Sequence, residues 1–327
     1  MKHVSILVPN SPCILSSVIG AYKVFSTVNM TLASQGKRPF FKIHLVGIHY
    51  ETVLYDGLFV VRPDVLLKDA AKTDLIIIPA IQGDIPVSLK LNSPFIPFII
   101  DQYNQGAEVA SLCTGAFLLA STGLLNGKKC STHWIAADAF KLAFPDVLLQ
   151  PEKIITDEMG MYSSGGAYSF LNLMVYLVEK FCGREMAVYC SKLLEIEIER
   201  KSQSPFAIFL GQKEHEDEPI KKAQLFMENN VNNKVSVDQL SEMFAISRRN
   251  FERRFKKATS NTPVEYLQRV KIEAAKKSLE SSRENINEVM YSVGYSDSKA
   301  FRTMFKKITG LTPVNYRNKY NRQLLSA

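Results

Sequence analysis

No uninterrupted apolar run in these 327 residues reaches the roughly 20 positions a helix needs to cross a bilayer, so no membrane span is expected. A secretory leader is also missing from the expected features. One Lys precedes a short apolar run, Val4 to Val8, which Pro9 and Pro12 interrupt, and a cytoplasmic location follows as the expectation. The five cysteines, Cys13, Cys113, Cys130, Cys182 and Cys190, are odd in number and widely scattered. Without a C-x-x-C pair or a His/Cys cluster at ligand spacing, no metal site and no cofactor are expected, and the thiols should be reduced. Surplus positive charge is absent from most of the chain. Residues 1–200 hold 17 Lys and Arg against 18 Asp and Glu, and residues 201–217 hold 2 against 3. Residues 218–327 hold 21 against 11, so the whole surplus of +8 arises in the last third. Cations confined in this way mark a surface that meets phosphates.

The length favours two domains, and the first alternates strand-like and helix-like segments. His3–Val8 reads as a strand, residues 15–34 as a helix, and Phe40–Ile48, Val53–Leu54 and Leu58–Val61 as strands. Asp74–Pro79 is a continuous apolar run of the kind buried on both faces of a parallel sheet. Residues 86–104 read as one helix, Ala107–Leu112 as another buried strand, and 166–181 and 184–200 as closing helices. The rhythm predicts an open, mostly parallel α/β sheet with helices on both faces.

At the end of Ala107–Leu112 the sequence runs EVASLCTGAFLLASTGLL, which puts Cys113 where strand turns into helix, with Thr114 and Gly115 opening the helix. This is the layout of a nucleophile elbow, and a helix N-terminus behind the sulfur predicts an accessible, reactive thiol. Twenty residues on, STHW places His133 beside Trp134. Three readings of Cys113 stand side by side: a nucleophile, a small buried hydrophobe, and part of the wall of a ligand pocket at the switch point of the sheet.

The stretch CTGAFLLASTGLLNGKKCSTHW resembles the Cys–His region of the ThiJ/PfpI branch of the class I glutamine-amidotransferase-like superfamily. The resemblance implies a flavodoxin-like sheet, with the Cys on the elbow and the His lining the same crevice. Enzymes of that family set a carboxylate beside the Cys, contributed from just after the first strand. Here that stretch is PNSPCILSSVIG, with Ser16 or Ser17 in place of the acid, and Ala80, Ile81 and Gln82 precede Gly83 where glycines are usual. Loss of a proton-transfer partner costs a rate factor of ~10²–10⁴. The expectation is therefore a sensor domain over residues 1–200, not an enzyme, with no catalytic residue and with Cys113, Thr114 and His133 at the effector site. An enzyme of ThiJ/PfpI type, or a thiol-oxidation sensor at Cys113, is the alternative.

The last third repeats itself. Residues 251–266, FERRFKKATSNTPVEY, and 301–316, FRTMFKKITGLTPVNY, agree at nine of sixteen positions without gaps, the mark of one unit built twice. Each copy joins an amphipathic helix, a tight turn and a basic helix, so helix-turn-helix units are expected over about 236–258 and 286–308. In the first, Ser247 reads as the N-cap of RRNFERRFKKA, with Phe251, Phe255 and Ala258 inward. In the second, Phe301, Phe305 and Ile308 face inward. A helix over about 264–280 joins the copies, and residues 201–217 (Pro205, Gly211, an acidic cluster) read as a linker that docks on one domain.

The motifs S-x-R/K-x-F-x-R-x-F-K-K and V-G-Y-S-D-x-x-x-F-x-x-x-F-K-K-x-x-G-x-T-P-x-x-Y-R resemble those of the AraC/XylS family over residues 220–320. The resemblance implies a DNA-binding domain over 218–327 and a transcription regulator, with operator DNA, a small-molecule effector, RNA polymerase and a second copy of the chain as partners. Lys256, Lys257, Lys306 and Lys307 are expected on phosphates. Base reading falls to Arg248, Arg249 and Arg253 and to Ser298, Lys299, Arg302 and Thr303.

Overall fold

The computed structural model describes residues 1–198 and 201–321. It comprises two compact units, Met1–Gln203 and Ser204–Ala327, of which residues 322–327 and 199–200 lie outside the described part. The ends of the expected domains, at 200 and 327, fall there.

In chain order the first unit runs β1 Lys2–Val8, α1 Leu15–Ser34, β2 Phe41–Gly47, β3 Thr52–Leu54, β4 Phe59–Val61, β5 Val65–Leu66, β6 Leu75–Ile78, α2 Ile85–Asn92 and α3 Phe95–Asn104. It continues with β7 Glu108–Leu112, α4 Ala116–Ser121, β8 Lys129–Cys130, α5 Ala137–Ala143, β9 Leu148–Leu149, β10 Ile155–Glu158, β11 Met161–Ser164, α6 Phe170–Cys182 and α7 Arg184–Leu193. The main sheet has the order β10-β11-β7-β6-β1-β2-β5, parallel except for the β10–β11 pair. Its strands β2-β1-β6-β7-β11 reproduce the 2-1-3-4-5 order of flavodoxin-like sheets. Side chains alternate between two cores. Val4 and Ile6 of β1 and Leu75 and Ile77 of β6 pack with Phe25 and Leu173 on one face, whereas Leu7, Ile76 and Ile78 pack with Phe95 and Phe117 on the other. Burial on both faces is why β6 is apolar at every position.

Four details differ from the sequence reading. The helix expected over 86–104 is two helices, because Pro94 lacks the amide needed to carry the ladder onward. The expected strands of 52–61 form a separate antiparallel hairpin, β3–β4, outside the main sheet. The helix from 184 stops at Leu193, with Glu195 at a positive φ of 54°; the last two residues of the expected span, 199–200, are outside the described residues. The β10–β11 pair was not expected from sequence, since ITDE buries one residue of four and shows little apolar alternation.

The second unit is all helical: α8 Glu218–Asn229, α9 Val237–Met243, α10 Arg248–Thr259, α11 Pro263–Ser281, α12 Ile286–Ser292, α13 Ser298–Thr309 and α14 Pro313–Tyr320. The repeated T-P-V-x-Y has a clear local logic. Thr262 and Thr312 cap α11 and α14, each followed by Pro at the first helical position. Tyr266 and Tyr316 then set their rings edge-on to Phe255 and Phe305, with centroids 5.3 and 5.4 Å apart. Inward of each basic helix the buried third position is a threonine, Thr259 or Thr309, and Ala258 and Ile308 are only half-buried. Each threonine hydroxyl donates to the carbonyl four residues back and accepts an amide two residues on, which closes the helix end.

Most of the expected linker is part of this unit. Tyr320 donates to the Pro205 carbonyl, buried Lys276 to that of Ala207, and the Phe209 amide to Glu273. The Phe209 ring packs 5.0 Å from Tyr266, and Asp217 is forked by Arg254 at 2.6 and 2.9 Å. The compact unit accordingly begins at Ser204, ahead of residue 218.

Candidate nucleic-acid interface and elbow site

Each basic helix presents one apolar and one charged face. Phe251 and Phe255 are fully buried under α10, and Phe301 and Phe305 under α13. This leaves Arg248, Arg249, Arg253, Lys256 and Lys257 exposed on the first helix, and Lys299, Arg302, Thr303, Lys306 and Lys307 on the second, with Ser298 half-buried. Among the described residues, the side chains of Arg249, Lys256, Lys257, Lys299, Arg302, Lys306 and Lys307 make no hydrogen bond or ion pair. Arg253 reaches only Asn250, at 2.8 Å. Arg248 is differently placed. Its guanidinium contacts both Asp238 oxygens at 3.0 Å and Glu252 at 3.1 Å, within the protein. Arg254, absent from the sequence reading as a functional residue, faces the Asp217 carboxylate and holds its pKa below the ordinary value. The signal that could have found it is the acidic cluster ahead of α8. Ser247 stands at the N-cap of α10 but its hydroxyl makes no cap hydrogen bond, in contrast to the expectation, whereas Asp297 caps α13 through the amides of Lys299 and Ala300.

In the first unit Cys113 occupies the turn between β7 and α4 with a φ of +55°, a left-handed conformation that costs a non-glycine residue about 1–2 kcal/mol. The elbow is thus present in the backbone. The expected accessible thiol is not: Cys113 is 2% exposed, and burial pushes its pKa up to about 11, against the weaker opposing effect of hydrogen bonds from Thr114. Desolvation of the thiolate outweighs the hydrogen bonds that favour it.

The loops around the elbow are stitched to each other. Cys13 and Ile81 form an antiparallel bridge, with Ile14 donating to the Ala80 carbonyl and Gln82 to that of Pro12. Thr114 donates to the Ile81 carbonyl at 2.6 Å. Ser17, buried, accepts the Ala80 amide at 3.1 Å and donates to Ile14. These loops follow β1 and β6, where the sheet order reverses, so they cover the place where open α/β folds bind ligands. The segment carrying His133 adjoins the elbow: Thr132 donates to the Cys113 carbonyl at 3.0 Å. His133 itself accepts the Ile135 amide through Nδ1, and burial lowers its pKa, so the ring is neutral near pH 7. Gln203 ties this segment down from the end of the unit, bonding the Thr132 carbonyl and the Trp134 amide.

A flavodoxin-like α/β domain followed by tandem helix-turn-helix units with basic outer faces defines a DNA-binding regulator with a separate N-terminal domain. The comparisons with known proteins agree. Residues 240–319 match the model of a helix-turn-helix domain, and residues 27–180 match that of the DJ-1/PfpI family. The HTH-type transcriptional regulator GbdR of Pseudomonas aeruginosa is 25% identical over 281 residues, covering 86% of this chain and 76% of that protein. The regulator ArgR of the same species is 28% identical over 228 residues, 69% of each chain. A crystal structure of an AraC family transcriptional regulator from Pseudomonas putida is similar with a TM-score of 0.51 at 19% identity, covering 59% of this chain and 100% of that one. At that identity the likeness speaks for the fold alone. Residues 27–180 are thus a DJ-1/PfpI-family domain and residues 240–319 an AraC-type helix-turn-helix domain, and across both the chain is similar to HTH-type transcriptional regulators. Among the described residues no helix is long and apolar enough to cross a membrane, and no group of His, Cys, Asp and Glu could hold a metal ion.

Proposed function

We propose that this regulator acts in the cytoplasm as a homodimer that reads an operator with both helix-turn-helix units and answers to a small molecule held by its N-terminal domain. The observation that carries the DNA reading is the pair of exposed cationic faces, each with four cations that no carboxylate pairs among the described residues, on two helices that repeat the F-x-x-x-F-K-K pattern. Arg249 and Arg253, with Ser298, Lys299, Arg302 and Thr303, lie in the first two turns of those helices and are assigned to bases. Arg248, gripped by Asp238 and Glu252, would orient α10 unless it exchanges those partners for DNA. Lys256, Lys257, Lys306 and Lys307 are assigned to phosphates, and RNA polymerase is the partner expected beside the bound regulator. The sensor spans residues 1–200 and the reader 218–327, with residues 204–217 packed on the reader.

The effector site is assigned to the crevice of Cys113, Thr114 and His133, which a ligand would enter by parting the Pro12–Ile14 and Ala80–Gln82 loops. No catalytic role is assigned to Cys113. A thiol with a pKa of about 11 is only ~0.1% ionised at pH 8, and the side chain fastened to the neighbouring loop is the hydroxyl of Ser17. Mass spectrometry of the native protein with iodoacetamide should show slow labelling of Cys113 that accelerates on unfolding. Fast labelling at pH 7 would restore the nucleophile and the thiol-oxidation sensor. A thermal-shift screen of small nitrogenous metabolites tests the sensor, since a ligand at 100 times its Kd stabilises by ~2.7 kcal/mol. Cys113→Ser should preserve the shift and Cys113→Phe should abolish it, with DNA binding intact in both. Loss in the Ser variant, with consumption of the metabolite by the native protein, would overturn this reading in favour of an enzyme.

A further inference from the structure

The two helix-turn-helix units have separate cores. Ile220, Leu240, Phe251, Phe255 and Tyr266 build the first, and Ile272, Leu279, Val289, Phe301 and Phe305 the second. Helix α11 serves both, and the change from one core to the other falls at a single residue: Val270 packs into the first, Ile272 into the second, and Lys271 lies between. Lys271 is 7% exposed, and burial pulls its pKa below the ordinary lysine value. Its ammonium donates to the Asn233 carbonyl, in the loop leading into α9, at 3.2 Å and to the Gly294 carbonyl, in the turn between α12 and α13, at 3.4 Å. Among the described residues no carboxylate pairs with it.

A second observation concerns the same junction. Gly294 has a φ of +71°, and a Cβ there would lie 2.6 Å from both the Asn232 carbonyl oxygen and Lys271 Nζ. The turn of the second unit therefore abuts the backbone of the first. Around this contact the junction is otherwise open: a cleft of about 470 Å³ is lined by Val237, Leu240 and Arg248 from one side and Gly294 and Tyr295 from the other. Val231 packs against both cores and α11 runs through both, and a directional polar contact can hold one unit against the other more closely. A buried ammonium bonded to both units, at a point where their backbones meet, does so at fixed distance and direction.

We infer that Lys271, with Gly294 as its seat, is a positioning residue for DNA recognition: it locks the angle between the two helix-turn-helix units and thereby sets the spacing of the two half-sites the protein accepts. The inference rests on the reading that both units engage one DNA. A rigid pair gains avidity of ~10²–10⁴ only on DNA whose half-sites match its geometry, and a hinged pair gains less but tolerates more.

The test uses the full-length protein and the DNA it selects from a random pool, together with the same DNA carrying one or two base pairs inserted between the half-sites. Each inserted pair turns the second half-site by roughly 35° and moves it ~3.4 Å. The native protein should lose at least about tenfold in affinity on the inserted DNA. Lys271→Met should bind the selected DNA more weakly yet lose less than about threefold on insertion, and Lys271→Arg, which keeps the donors, should behave as native. Gly294→Ala attacks the contact from the other side and should also flatten the spacing response. Thermal melts show which variants fold. Native spacing discrimination retained in either folded variant, Lys271→Met or Gly294→Ala, overturns the inference. A native protein indifferent to spacing would instead defeat the reading that both units engage one DNA.

Discussion

The two helix-turn-helix units make corresponding turns with different residues, and the tight turn between helices takes residues 244–247 in the first and 293–297 in the second. At the tight turn the first uses Ala245 at a φ of 51° and the second Gly294 at 71°. At the end of the basic helix the first uses Ser260 at 56° and the second Gly310 at 75°. Each left-handed non-glycine residue costs about 1–2 kcal/mol, so the first copy carries strain that the second avoids. Capping differs at the basic helix, whereas the helix before it is capped in both copies, by Ser236 in α9 and by Asn285 in α12. Asp297 accepts two amides at the start of α13 and Asn285 completes a capping box at α12, while Ser247 makes no side-chain cap bond. The first copy has more charge on its basic helix, six Arg and Lys against four. The tertiary structure removes that difference: Arg248 is held by Asp238 and Glu252 and Arg254 by Asp217, which leaves four unpaired cations on each helix. A count of charge along the helix thus overstates what the first copy offers to DNA, and its two left-handed non-glycine residues, Ala245 and Ser260, add backbone strain.

Rotating one helix-turn-helix unit against the other has the largest effect. Inserting one alanine after Ala274 turns everything beyond it by ~100° about α11. Binding to the selected DNA, measured by fluorescence anisotropy, should fall towards that of a single unit, a loss of up to ~10²–10⁴. Unchanged affinity would show that one unit alone binds.

A smaller effect separates the two kinds of cation. Arg249→Ala should cost ~1–3 kcal/mol and relax preference at particular base positions, and Lys306→Ala should weaken binding alike on all sequences while lowering the salt slope by ~1. The two variants are compared on a panel of single-base operator changes at several salt concentrations. Equal, sequence-independent losses would refute the assignment of roles.

The smallest effects sharpen the difference in build. Asp297→Ala should lower stability by ~1 kcal/mol and Ser247→Ala by no more than a few tenths, because only the first of these removes a cap bond. Ala245→Gly should raise stability by up to about 1 kcal/mol, the relieved strain being partly offset by added freedom in the unfolded chain. Urea unfolding followed by circular dichroism measures all three. A Ser247→Ala loss as large as that of Asp297→Ala would mean that the copies are capped alike.

The amino-acid sequence by itself determined the division into a neutral α/β part and a basic helical part, the two repeats, and the phenylalanine face of α10 and α13, though not Thr259 and Thr309 as the third buried position in place of Ala258 and Ile308. These follow from local periodicity and composition, and Phe251, Phe255, Phe301 and Phe305 are buried as their spacing requires. It also placed Cys113 at the elbow, since a buried strand run followed by Thr-Gly leaves few other geometries. What only the tertiary structure decided is which polar atoms meet across distance. The loops after β1 and β6 pair beside Cys113, and burial raises its pKa against the hydrogen bonds from Thr114. Arg248 and Arg254 find carboxylates 10 and 37 residues away. Residues 204–217, polar enough to read as a tether, pack on the helical unit through Phe209 and the carbonyls that Lys276 and Tyr320 cap. Lys271 looks like any lysine of an amphipathic helix until the fold brings the carbonyls of Asn233 and Gly294 to it. Hydrogen bonds and desolvation depend on separations of a few ångströms between groups far apart in the chain, and no local pattern of residue types encodes those separations.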